Sequence, residues 1–162
     1  MKWLAVALLV TACSGSPGGP TMNNKINGPE QVPQSSAVIS ADVLSREPLS
    51  NTAQVKHILI GWKDLNDNYQ GRIDSRAAKR TKPEAEAIVK TLLGQIKSGA
   101  EFEALMKSNS EDPGSATTGR AFTVTPDAQL VIEFRQLGLR LKVGEIGVVE
   151  SDYGFHIVKR VE

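Results

Sequence analysis

The chain of 162 residues contains one cysteine, Cys13, and two histidines, His57 and His156. A single cysteine excludes an intrachain disulfide and any thiolate-rich metal site. Two imidazoles with no further histidine or cysteine in the domain make a zinc centre a poor reading. An excess of either charge is also missing: nineteen basic residues face eighteen acidic ones, a formal net charge of +1. That balance argues against a dedicated nucleic-acid binder, which usually carries a strong basic excess. No apolar run reaches the roughly 18–20 residues needed to cross a bilayer, which excludes a multi-pass membrane protein. What is present suits one soluble domain of about 100–150 residues with a tail.

The tail comes first. Lys2, an apolar stretch over residues 3–10 and the small residues leading through Thr11 and Ala12 to Cys13 have the order of an export signal. Ending on the only cysteine, this order resembles a bacterial lipoprotein lipobox. The resemblance implies a signal peptide over residues 1–12 and lipidation of Cys13, which becomes the first residue of the mature chain. The alternative for Cys13 is a buried structural cysteine. Ser14 stands where an aspartate would favour inner-membrane retention, so the expected location is the periplasmic face of an outer membrane. Each buried lipid methylene contributes about 0.8 kcal/mol, so several acyl chains make a stable anchor.

Residues 13–52 read as a flexible, disordered tether. Residues 14–52 hold Pro17, Pro20, Pro29, Pro33 and Pro48, five of the eight prolines, and no aromatic residue. Such a segment buries too little apolar surface to offset its ordering entropy. As a coil of some 40 residues it would span roughly 35 Å. Residues 37–44 alternate weakly and are compatible with a short strand or helix docking on the domain.

From residue 53 to 162 the pattern becomes that of a folded domain. Residues 55–60, Val-Lys-His-Ile-Leu-Ile, are a strand candidate. The polar stretch 63–82 carries Arg72, Arg76, Lys79, Arg80 and Lys82 beside Asp64, Asp67 and Asp74, and reads as a solvated loop or one attracted to anionic surfaces. Thr81 or Lys82 caps a helix with Pro83 in its first turn. Its apolar positions Ala85, Ile88, Val89, Leu92, Leu93 and Ile96 share one face, and Gly99 ends it. A second helix is expected near 101–107 and a third over about 127–139. Residues 112–115 read as a turn. Strands are expected at 148–149 and 155–161 around a hairpin loop at 151–154, with a short strand near 121–124. The order indicates an α+β domain with a small, mainly antiparallel four-stranded sheet and three to four helices.

Four segments then resemble one family. They are Lys56-His57-Ile58-Leu59, the stretch from Ser110 through Asp112-Pro113-Gly114 to Ala116, Leu141 to Ile146, and the stretch from Ser151 through Tyr153-Gly154-Phe155-His156 to Arg160. Their content and order are similar to the parvulin-type peptidyl-prolyl cis-trans isomerases, over residues 54–162. The resemblance implies a hydrogen-bonded centre of His57, His156, Asp112 and Ser151, with the two histidines on neighbouring strands. It implies a proline pocket made by Leu130 and Phe134, expected one turn apart on the third helix, with Phe122 as a further wall and Tyr153 lining the cleft. Core packing is the rival role for Leu130 and Phe134, as a plain turn aspartate is for Asp112. The family's Gly-Gly-Asp-Leu-Gly-like turn is replaced here by Thr118-Gly119-Arg120-Ala121-Phe122, which keeps one glycine and puts an arginine in place of the acid.

The implied function is isomerisation of X-Pro bonds in unfolded or exported proteins by a membrane-tethered monomer. No bond breaks in this reaction, so it requires no cofactor or metal. The alternatives are a non-catalytic chaperone or peptide-binding module that keeps the cleft, and a lipoprotein assembly factor docked on a fixed partner.

Overall fold

The computed structural model describes residues 36–162. The expected signal peptide, Cys13 and the first part of the expected tether lie outside the described residues. The elements in chain order are helix α1 (Ala41–Leu44), strand β1 (Ala53–Ile60), two 3₁₀ turns (Lys63–Leu65 and Ala77–Lys79), helices α2 (Lys82–Lys97), α3 (Phe102–Asn109) and α4 (Pro113–Thr118), strand β2 (Phe122–Val124), helix α5 (Ile132–Arg140) and strands β3 (Ile146–Ser151) and β4 (Gly154–Arg160). The strands form one antiparallel sheet in the order β2-β1-β4-β3. This is the expected α+β fold, with two short helices, α1 and α4, added to the three read from apolar periodicity.

Alternation along the strands divides the interior in two, because successive side chains point to opposite sides of a sheet. Ile58, Ile60, Val148, Phe155 and Ile157 face α2 and α3, where they meet Val89, Leu92, Phe102 and Met106. Ala53, Val55, Val149 and Val158 face α5, where they meet Phe134, Leu137, Leu139 and Leu141. Helix α2 starts where expected: the Glu84 carboxylate accepts the Thr81 backbone N–H at 2.7 Å, with Pro83 in the first turn. Helix α5 lies close against the sheet because Gly147 has no side chain. A Cβ there would stand 2.9 Å from Leu137 Cδ1 and 3.2 Å from Leu141 Cδ2.

Three expectations are corrected. Residues 36–52 do not behave as tether: Val38 is buried on the α2 side of the sheet and Val43 on the α5 side. Between them Ser40 crosses the edge of β3, its N–H donating to Val148 O and its Oγ accepting Val148 N–H, both at 2.9 Å. The bidentate Arg46–Glu145 pair at 2.8–2.9 Å and the Leu49 N–H to Leu139 O bond at 2.8 Å hold the rest. The weak alternation over 37–44 does mark a short docking helix, α1, while the proline-rich average of the tether concealed that residues 36–52 pack on the domain. Residues 112–115 are the start of α4 rather than an isolated turn, since Pro113 is admissible in a first turn and Asp112 caps it. The third long helix begins at Ile132 and not near Asp127. After Pro126 the chain makes a tight turn, with Ala128 N–H donating to Thr125 O and the Thr125 hydroxyl bonding Asp127.

Candidate active site

Strand parity places the polar centre. His57 on β1, His156 on β4 and Ser151 at the end of β3 share the side that faces α5, in step with Val55, Val158 and Val149. His57 pairs with Val158 and Leu59 with His156, so the two imidazoles are diagonal neighbours across β1 and β4. Their Nδ1 atoms are 3.3 Å apart, with the rings stacked at 25°. His156 Nε2 lies 2.8 Å from Ser151 Oγ, which also accepts the Tyr153 N–H at 3.1 Å. At the other end His57 Nε2 stands 3.4 Å from Asp112 Oδ2.

The partners assign the protons. With neutral imidazoles the carboxylate of Asp112 calls for the proton of His57 on Nε2, and at the other end Ser151 Oγ, which accepts the Tyr153 N–H, gives its own proton to His156 Nε2. His156 then carries its proton on Nδ1 and donates to His57 Nδ1, which leaves His57 protonated on Nε2, towards Asp112. Every donor in this row points the same way, towards the carboxylate.

Asp112 holds its position by a second set of bonds. Its Oδ2 accepts the Ser115 N–H at 2.7 Å and the Ser115 hydroxyl at 2.6 Å, capping α4. The helix ends at Gly119, which adopts the left-handed φ of 64° that a C-terminal cap requires. Arg120 follows, exposed, beside a small hollow lined by Asp112, Gly114 and Phe122.

Charge states follow from these surroundings. The His57 imidazole, with the Ser115 hydroxyl and N–H, holds the Asp112 carboxyl well below the usual carboxylate range, against the opposing effect of burial. Burial, reinforced by His57, pushes His156 down to about 3. Both shifts act on stability with the same sign. Unfolded His156 takes a proton as pH falls through about 6.5, while the folded imidazole resists, so protons favour the unfolded chain. Asp112, with its folded value depressed, contributes stability that is present above about pH 4 and lost below it. The midpoint of urea denaturation is therefore expected to fall steadily between pH 7 and pH 4, with His156 acting through the whole window and Asp112 at its acid end. An unchanged midpoint from pH 7 to pH 5 would contradict a neutral, buried His156.

Above this polar row lies a cavity of about 420 Å³. Leu130, Phe134, Phe122 and Tyr153 all line it, together with His57, His156 and Asp112. Ser151 lies beneath the imidazoles and acts on them through His156. Phe134 stands edge-on to both imidazoles, at 5.1 Å and 5.5 Å between centroids, and Phe122 edge-on to His57 at 5.1 Å. Leu130 reaches the cavity from the turn before α5, not from the helix on which it was expected.

Tyr69 and Glu111 are among the lining residues to which the sequence assigned no role. Tyr69, the only aromatic residue of the stretch 63–82, donates its hydroxyl to Tyr153 O at 2.7 Å and meets the Tyr153 ring edge-on. Burial, with Glu111 and Asp112 nearby, pushes its hydroxyl up to about 12, so it stays a donor. The basic stretch is also not simply solvated. Arg76 forks onto Asp74 at 3.0 Å, Arg80 pairs with Glu111, and Lys82 pairs with Glu150 while lying 5.2 Å over the Trp62 ring.

Fold and site together define a compact α+β domain with an apolar cleft over a buried imidazole pair. A family model described as the PPIC-type PPIASE domain matches residues 42–162, and the chain belongs to this parvulin family of peptidyl-prolyl isomerase domains. It is 30 % identical over 129 residues to foldase protein PrsA of Geobacillus kaustophilus, covering 79 % of this chain and 46 % of that protein. It is 29 % identical over 124 residues to a probable parvulin-type peptidyl-prolyl cis-trans isomerase of Bordetella bronchiseptica, covering 75 % and 46 %. The chain thus spans under half the length of these curated relatives. The structure of peptidyl-prolyl isomerase ESS1 from Candida albicans matches with a TM-score of 0.58 at 24 % identity, covering 69 % of this chain and 63 % of that one. The solution structure of TbPIN1 matches with a TM-score of 0.59 at 24 % identity, covering 70 % and 100 %. These two likenesses concern the fold.

Proposed function

We propose that the chain is a peptidyl-prolyl cis-trans isomerase that assists the folding of exported proteins. The observation that carries this reading is the cavity of about 420 Å³ with apolar walls at Leu130, Phe134 and Phe122 and a polar floor at His57, His156 and Asp112. A proline ring held between these apolar walls would bring the preceding amide against the polar floor.

The chemistry follows from amide resonance. Rotation about an X-Pro bond meets a barrier of about 18–20 kcal/mol because the planar amide is stabilised by charge transfer from nitrogen to oxygen. Twisting the bond returns that charge to nitrogen. An ionised Asp112 near the carbonyl oxygen disfavours the planar, charge-separated form more than the twisted one. The row of donors from Ser151 through both histidines to Asp112 keeps the carboxylate ionised and oriented before the substrate arrives, so little reorganisation is needed during the reaction. No proton has to leave the network.

Location belongs to the same proposal. Lys2, the apolar residues 3–10 and Cys13 support export and a lipid anchor at Cys13, with the domain held at the cell envelope, on the periplasmic face of an outer membrane. Its clients there are proline-containing segments of proteins still unfolded after export.

Exchange NMR of a panel of X-Pro peptides with the full chain tests the activity. Catalysed exchange is expected, and it should fall about tenfold or more in Leu130→Ala, the scale on which lost apolar pocket contacts discriminate. A folded chain that leaves every peptide at its uncatalysed rate rejects the isomerase reading.

A further inference from the structure

Three chain segments meet at one buried carboxylate that the mechanism above does not use. The Glu111 side chain is 3 % exposed. Its Oε2 accepts the Gly61 N–H at 2.7 Å, just beyond the end of β1. Its Oε1 accepts from Arg80 Nη2, and Arg76 Nε stands 3.9 Å from the same oxygen. The main chain closes the junction as well. Glu111 N–H donates to Leu59 O at 2.9 Å, Leu59 N–H to Ser110 Oγ at 3.1 Å, and Arg76 Nη2 to Ser110 O at 3.0 Å.

We infer that Glu111, clasped by Arg80 and Arg76, is a positioning residue for Asp112. The inference rests on the isomerase reading for its kinetic consequence only. Asp112 is the next residue along, and its Oδ2 has to satisfy two demands at once, the cap of α4 and the approach to His57 Nε2. The segment carrying it has no regular secondary structure between α3 and α4. Its placement therefore depends on what ties it to β1, the strand that carries His57, and Glu111 ties it from both side chain and backbone.

The charge of the clasp matters more than its bulk. A buried ion pair often contributes little net stability compared with apolar residues of similar volume, whereas removing one partner strands the other charge. Arg80 is 11 % exposed, and its Nη1 is buried with no partner among the described residues, so Glu111 is the anion that neutralises it. The pair gives direction: Arg80 pulls Glu111 towards the loop before α2, and the Gly61 N–H holds it at β1.

The experiment compares the full chain with Glu111→Gln, Arg80→Met and the double variant. It follows peptide exchange kinetics, urea denaturation and the imidazole nitrogen resonances of His57. Displacing a reacting group by about 1 Å can cost 100-fold in rate. For folded Glu111→Gln we expect kcat to fall about tenfold, with KM unchanged and the His57 resonances moving towards their positions in Asp112→Asn. The double variant, with no stranded cation, is expected to recover stability without recovering kcat or the wild-type resonances; it carries the test if Glu111→Gln fails to fold. Recovery of kcat and resonances together with stability overturns the inference, since Glu111 would then only support the fold. Unchanged kcat and resonances in folded Glu111→Gln overturn it as well. If the wild-type chain catalyses no exchange, the isomerase reading fails, and the His57 resonances alone decide for or against the clasp.

Discussion

Phe134→Ala is expected to lower the stability of the domain by about 3–5 kcal/mol, the range for truncating a large core aromatic. The side chain is 3 % exposed and belongs to the core between α5 and the sheet. It also packs edge-on against His57, His156 and Phe122. Truncation removes those contacts and opens the site cavity into the core, so water reaches an imidazole that is neutral because it is buried. Urea denaturation at pH 7 measures the loss. Phe134→Leu keeps most of the volume and is expected to cost far less, while still lowering isomerisation, because it removes the flat wall against the imidazoles. A loss under about 1 kcal/mol for the alanine variant would mean that α5 closes over the gap, since the cost depends on how well a site collapses.

Asp112→Asn is expected to reduce kcat/KM about 100-fold, the scale seen when one preorganised electrostatic group is lost from an active site. Asparagine caps a helix about as well as aspartate, so the Ser115 bonds and the start of α4 persist. Only the charge facing His57 disappears, and with it the stability that the depressed carboxyl contributes above about pH 4. The variant is therefore expected to be less stable than the wild-type chain at pH 7 and to lose part of the fall between pH 5 and pH 4. Asp112→Ala is expected to show the same kinetic loss and to lose about 1 kcal/mol more from the missing cap. Together the two variants separate the structural role of this carboxylate from its electrostatic one. Full activity in Asp112→Asn would remove the charge from the mechanism.

The site residues were legible through segments that resemble the parvulin motifs, and strand alternation then sets the side of the sheet that His57, His156 and Ser151 take. His57 sits within the run 55–60, and Ser151 and His156 stand on the two strands joined by the turn Asp152–Tyr153. That loop has two residues where four, 151–154, were expected, because Ser151 and Gly154 pair as the last rung of the ladder. Asp112 was legible by its family motif, although its cap of α4 was hidden behind a Pro-Gly pair that reads equally as a turn. Leu130 lines the same cavity as Phe134 but from another element: the spacing of four residues suggested one helix face, while Pro126 and the following tight turn delay the helix to Ile132. Glu111, Tyr69, Arg76 and Arg80 were not legible as parts of one wall. They come from segments up to about 40 residues apart in a polar, irregular context, where no periodicity marks which charges are buried.

The candidate centre of two histidines, one acid and one hydroxyl was implied by the resemblance to the parvulins, whereas the sequence by itself determined the local patterns: the strand runs at 55–60 and 155–161 and the apolar stripe and cap of α2. Those are properties of short spans, set by backbone geometry and side-chain direction. Tertiary structure alone decided the pairing of β1 with β4, which brings together two imidazoles 99 positions apart. It also decided that Val38 and Val43 belong to opposite sides of the sheet, and that one glutamate in a basic neighbourhood becomes a buried anchor. The physical reason is the same in each case. Register, burial and ion pairing depend on the free energy of contacts between distant segments, and a local pattern carries no record of its partner.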